Sequence, residues 1–102
     1  MLLSTTEDIG KKYKVLDVVR GNTIRARWFG RDIAASLKML VGGEIKSYTD
    51  MISKSRDQAV ERMKEDAKKL GADAIVNVRF STSDIMQGAA EVMAYGTAVK
   101  LK

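Results

Sequence analysis

The chain has no cysteine, no histidine and no proline among its 102 residues. Without cysteine there are no disulfides and no thiolate chemistry. Without histidine the usual general base near neutral pH is gone. Together these absences remove the preferred ligands of zinc and other soft or borderline metals. A site for a hard cation, built from oxygens alone, stays open. Aromatic residues make up only 6% of the chain. No apolar run approaches the roughly 18 residues of a membrane span. The N-terminus lacks the basic-then-apolar pattern of a signal peptide. The expectation is a soluble cytoplasmic protein with no membrane association. Asp17, Asp73, Asp84 and Glu91 are scattered acids. No pair of them stands at a spacing that defines a general acid and base or an EF-hand loop. No nucleophile, base and orienting group form a set. The chain is therefore expected not to be an enzyme.

What is present is a foldable composition: 45% of residues are hydrophobic, enough for one domain over residues 1–102. The net charge is +5, and it is unevenly placed. Residues 1–40 carry eight Lys or Arg against four acids, and residues 41–102 carry ten against nine. A basic face attracts nucleic acid or small anions, although a solvated surface is the simpler account.

Met1–Thr6 reads as a short edge strand, and Glu7–Lys11 as a turn. Lys12–Arg20 alternates as a strand. Gly21-Asn22 is a two-residue hairpin signal, because both residues tolerate positive φ. Thr23–Phe29 is then the return strand. This pairing sets Val18 opposite Arg25 and Leu16 opposite Arg27, a mixed face. Val15, Asp17, Val19, Ile24, Ala26 and Trp28 form the core side.

Gly30–Val41 spaces its apolar residues as a short helix, stopped by Gly42-Gly43. Ser47-Tyr48-Thr49-Asp50 resembles a capping box that opens a long helix over 48–70. Its apolar stripe is Tyr48, Ile52, Ser55, Ala59, Met63, Ala67 and Leu70. The small members let the helix sit close to a sheet. Asp50/Lys54, Arg62/Asp66 and Glu65/Lys69 are i,i+4 pairs. Gly71 is placed for a left-handed helix stop. Ala74–Ser81 is a strand with Val76, Val78 and Phe80 on one side. Residues 83–89 are a loop, and Ala90–Leu101 is the closing strand. Gly96 inside it signals a close approach. The fold class is α+β: a small antiparallel sheet packed on one long helix, plus a short helix.

With these elements placed, the chain resembles the YbjQ family, small proteins often labelled heavy-metal-binding. The resemblance runs over nearly the whole length. It rests on Thr5-Thr6, Val18-Val19-Arg20-Gly21, Arg31-Asp32, Val41-Gly42-Gly43 and Tyr48. Ala67-Lys68-Lys69-Leu70-Gly71-Ala72-Asp73-Ala74 and Ala94-Tyr95-Gly96-Thr97-Ala98-Val99 complete it. It implies a dodecin-like subunit in a homo-oligomeric ring, most often a pentamer, with no established activity. Asp17 stands where related chains tend to have glycine. Gly42-Gly43-Glu44 replaces their Gly-Gly-Arg, which weakens any anion site leaning on that arginine.

The expected ligand-binding residues are Arg25, Arg27, Arg31, Asp32, Tyr48, Tyr95 and Thr97. Arg25 and Arg27 belong to the mixed face. Arg31-Asp32 opens the short helix as a polar pair at a subunit junction, although the helix dipole alone favours Asp32 there. Tyr95 and Thr97 offer hydroxyls beside Gly96, in a strand also suited to plain packing. Gly42-Gly43 reads more simply as a helix–helix turn than as a phosphate cradle. The leading reading is a ring that binds a metal ion or small anion at its central or inter-subunit surface, with the ligand and any metal residues unassigned. The alternative is a nucleic-acid-binding module that uses the basic N-terminal hairpin. Single-strand binders interleave charge with aromatics, and Trp28 falls on the other face of that hairpin.

Overall fold

The computed structural model describes the backbone of residues 1–26, 43–86 and 89–102. The expected short helix over 30–41, and with it Arg27, Trp28, Arg31 and Asp32, lies outside the described residues. The elements are β1 (Leu2–Leu3), β2 (Tyr13–Ala26), α1 (Gly43–Lys69), β3 (Ala74–Met86) and β4 (Ala89–Leu101). The strands form one sheet in the order β1-β3-β4-β2. β4 pairs antiparallel with both β2 and β3, whereas β1 pairs parallel with β3. The sheet is thus mixed, not purely antiparallel. The α+β class stands.

The largest departure from expectation is at Gly21-Asn22. No hairpin forms there. β2 is one strand of 14 residues, and Gly21 and Asn22 pair with Ala94 and Met93 of β4. The glycine serves a different need. A Cβ built on Gly21 collides with the carbonyl oxygen of Ala59, the amide nitrogen of Met63 and Cβ of Arg62. Helix backbone therefore rests directly on the strand, and only glycine leaves room for it.

With the hairpin gone, the faces of β2 change. Val19, Gly21 and Thr23 are buried beneath α1. Val15, Val18 and Ile24 are exposed. Val15 and Ile24 are therefore not core residues. The expected pairing of Val18 with Arg25 does not form: Val18 pairs with Thr97 and Arg25 with Ala90. A register shift between Val15 and Asp17 lets Leu16 pack against the core. It also explains why simple alternation failed there.

α1 spans 27 residues. It begins at Gly43, so Ser47-Tyr48-Thr49-Asp50 is internal helix and not a capping box. Glu44, Ile45 and Lys46 carry no helix-breaking tendency to delay the start. Its stripe packs as expected at the centre: Ser55, Ala59, Met63 and Ala67 are fully buried, while Ile52 and Leu70 at the two ends stay exposed. Thr23 Oγ1 donates to the Ser55 carbonyl oxygen at 3.2 Å. Ser55 Oγ donates to the Met51 carbonyl oxygen at 3.0 Å. Both buried hydroxyls are thereby satisfied. The helix ends as predicted. Gly71 has φ +76°, its N–H bonds the Lys68 carbonyl, and the Ala72 N–H bonds the Ala67 carbonyl. This is the Schellman arrangement.

Residues 83–86 are strand, not loop, so β3 and β4 leave only two residues between Met86 and Ala89. A bulge lies between Val76 and Arg79, with Asn77 at φ 54°. An extra residue in one strand reverses the side-chain alternation. Val78 consequently joins the main core with Val19, Met63 and Ala98, while Val76 joins Ala74 and Val99 in a second cluster under Ile9 and Tyr13. Phe80 is exposed. The three residues expected to share a side have three different environments. Gly96 sits beside this bulge. A Cβ there would lie 2.8 Å from Ile75 Cγ2 and 2.9 Å from the Val76 carbonyl oxygen. The expected close approach is real, and the approaching group is the chain's own β3.

Candidate functional site

β4 is central, and its alternation puts Glu91, Met93, Tyr95 and Thr97 on the sheet face away from α1. Cross-strand register builds rows on that face. Tyr95 lies between Arg20 and Arg79, and Thr97 between Val18 and Val76. Arg79 is held down: its Nη1 donates to the carbonyl oxygens of Thr5, at 2.8 Å, and Val78, at 2.9 Å. Asn22 Nδ2 donates to Glu91 Oε2 at 2.7 Å. The near end of the face is covered by the Ile9 and Tyr13 cluster, where the Tyr13 hydroxyl donates to the Glu7 carbonyl oxygen at 2.8 Å. The rest is open. Val18 is 67% and Ile24 63% exposed.

A polar cleft of 430 Å³ runs beside the free edge of β2, lined by Arg20, Gly21, Asn22, Arg62, Glu65, Asp66 and Lys69. It follows from the close seat of α1 on Gly21. With the helix so near the edge, Arg62 and Asp66 reach past it to the strand backbone. Arg62 Nη1 donates to the Asn22 carbonyl oxygen, and the Arg20 amide donates to Asp66 Oδ2 at 3.2 Å. The expected Arg62/Asp66 ion pair is therefore replaced by two bonds to β2. Asp50/Lys54 and Glu65/Lys69 do not close either: among the described residues the ion pairs are Lys64–Glu61 and Lys100–Asp73, each at 3.3 Å. Exposed i,i+4 pairs gain so little that stray geometry is unsurprising.

Of the expected site residues, Tyr95 and Thr97 are the two whose side chains are described. Tyr95 and Thr97 share the open face. Arg25 lies opposite Ala90, five ladder positions from Tyr95's level, or about 17 Å along the strand. Tyr48 is within α1. Arg27, Arg31 and Asp32 lie outside the described residues. Sequence reasoning missed the cleft, although Arg62, Asp66 and Lys69 fall at helical spacing next to the small-residue stripe. Once the hairpin was assumed, Arg20 and Asn22 pointed at a turn rather than at the helix.

Asp73 is the one described group with a clearly displaced pKa. It lies below its ordinary value of 3.8, chiefly because the Leu101 amide donates to its carboxylate, with Lys100 adding to the effect. Leu101 N–H reaches Oδ2 at 2.9 Å. Asp73 thus ties the helix exit to the end of β4. It is a structural anchor, as a turn residue there should be.

A family profile described as "Putative heavy-metal-binding", YbjQ, matches residues 1–102. The chain belongs to this family. A UPF0145 protein of Thermosipho melanesiensis is 57% identical over 103 residues, covering 99% of this chain and 95% of that one. One from Archaeoglobus fulgidus is 54% identical over 104 residues, covering 100% and 96%. Among solved structures, a protein of unknown function from Pediococcus pentosaceus, of the DUF74 family, superposes with a TM-score of 0.71. It is 23% identical and covers 100% of this chain and 98% of its own. That likeness establishes the fold.

The heavy-metal description finds no donors to match it. Soft ions want thiolate or imidazole, and the chain has neither cysteine nor histidine. Among the described residues no three carboxylates gather around a point that could hold an ion. The residues present do not fit a heavy-metal centre. No helix among the described residues is long and apolar enough to cross a membrane.

Proposed function

We propose that this YbjQ-family chain is a non-enzymatic subunit of a homo-oligomeric ring, with five subunits the number its family resemblance suggests. In this reading the ring binds a small anion at an inter-subunit surface. The observation that carries the reading is the open sheet face, along which Val18, Tyr95 and Ile24 are exposed. Large aliphatic side chains clustered on one face of a small domain favour burial against a partner. The dimensions agree. The Cα radius of gyration is 16.8 Å, against about 13 Å for a compact chain of 100 residues.

The cleft beside β2 supplies the ligand side of the proposal. Arg62 and Asp66 are engaged with β2, and Arg20 and Lys69 are the other basic residues lining the cleft. Paired cations of this kind suit a small oxyanion. Calorimetry of the assembled protein with inorganic phosphate and, separately, divalent metal ions tests it. The expected result is saturable phosphate binding that weakens in Arg20→Ala. Absence of saturable binding to either would remove the ligand claim and leave an assembly protein.

The Arg20–Tyr95–Arg79 row favours a second reading, nucleic-acid binding, because it sets an aromatic ring between two cations. A mobility shift with steep salt dependence would support it. No shift at low salt would end it.

A further inference from the structure

Among the described residues β2 is the last strand of the sheet, 14 residues long, and no described strand pairs with its outer edge. Such an edge is a template for strand addition by another copy of the same chain. In an antiparallel ladder the residues alternate in which side their N–H and C=O groups face. The bonds of Arg20 and Asn22 to α1 fix the phase: these residues turn their backbone groups to the free edge. Both stretches of edge backbone are then met by side chains one helical turn apart. Asp66 takes the Arg20 amide, and Arg62 takes the Asn22 carbonyl.

We propose that Arg62 and Asp66 guard the β2 edge, occupying the hydrogen-bonding positions that a strand of a second copy would otherwise fill. The free edge is thus an interaction surface held closed by the chain's own helix. The guard depends on Gly21 and Ala59, which let α1 approach close enough for side chains of this length to reach around the strand. The two side chains act as a pair. Asp66 supplies an acceptor that cannot donate, and Arg62 a donor that cannot accept. Together they occupy one outward N–H and one outward C=O, two of the positions that an added strand's ladder would need. The neighbouring Asn22 amide faces the same edge and is bonded by neither Arg62 nor Asp66. None of this requires the ring, because both guard residues and their partners lie in one chain.

Hydrogen exchange and sedimentation velocity test it together. In the native protein the Arg20 amide exchanges on the order of tenfold more slowly than the Asn22 amide. In D66N, which keeps the side-chain shape, Arg20 loses that protection. In R62A/D66A the chain gains concentration-dependent species larger than any the native protein forms. The exposed substitution Glu61→Ala changes neither readout. Equal protection of Arg20 and Asn22 in the native protein would show a strand lying along the edge and would overturn the proposal. So would unchanged Arg20 exchange in D66N. If R62A/D66A does not fold, the exchange pattern of the native protein and of D66N still decides. A native protein that sediments as a monomer would count against the ring and leave the guard untouched.

Discussion

The two faces of the sheet are built from the same three long strands and have opposite fates. On one face Val19, Val78, Val92, Ala94 and Ala98 close against Ala59, Met63 and Ala67 of the helix. On the other, apolar packing stops at Ala74, Val76 and Val99, under Ile9 and Tyr13. Beyond that cluster Val18, Arg20, Ile24 and Tyr95 are exposed. The difference lies in side-chain size more than in hydropathy. The covered face uses Gly21, Ala59, Ala67, Ala94 and Ala98, so helix and sheet backbones nearly touch. The open face carries large residues that no described residue buries. Small residues make the fold, and large ones are left for something else.

The comparison can be broken most sharply at Gly21. Gly21→Ala places a methyl group into helix backbone, which cannot swing aside as a side chain can. Overpacking of this kind costs about 3 kcal/mol or more, and denaturant unfolding should show it. Met63→Ala opens a cavity in the same interface, where Met63 is fully buried. Its expected cost is about 2–3 kcal/mol, read from the same titration with an unchanged slope. Val18→Ser on the open face, measured in a form shown to be monomeric, should change stability by less than about 0.5 kcal/mol. A loss at Val18 equal to that at Met63 would mean that the open face is packed within the chain.

The smallest effect concerns Asp73, and it depends on pH. Its carboxyl is held below the ordinary value of 3.8 in the folded state. The stability it contributes is therefore fully present above about pH 3.8 and is lost as pH falls through the lower folded value. Asp73→Asn should be less stable than the native protein at neutral pH. The gap should narrow only below about pH 3.8, as followed by thermal unfolding across a pH series. A gap that stayed constant down to pH 2 would contradict the carboxylate's role.

Much of this was readable from particular residues. The stripe Ser55, Ala59, Met63, Ala67 gave the buried side of α1 because helical spacing is periodic and the stripe is long. Gly71 gave the helix stop because little else fits a left-handed position so well. Gly96 announced a close neighbour. The largest failure has a long-range cause. Gly21-Asn22 is a good local hairpin signal, and what overrode it is a helix some forty residues away in sequence. The same long-range contact created the cleft and its guard, so no local pattern pointed to them. The bulges at Val15/Asp17 and Val76/Arg79 likewise reversed the side of every residue beyond them. The result is an α+β fold recognised from sequence, with its faces partly exchanged.

The central claim is that the covered face makes the fold and the open face makes the assembly. Native mass spectrometry of the native chain beside V18E/I24E tests it most directly. The account predicts a closed oligomer of several subunits for the native chain. For the variant it predicts a folded monomer with an unchanged far-UV circular dichroism spectrum. A native chain that stays monomeric at high concentration, or a variant that keeps the native oligomeric mass, would contradict it.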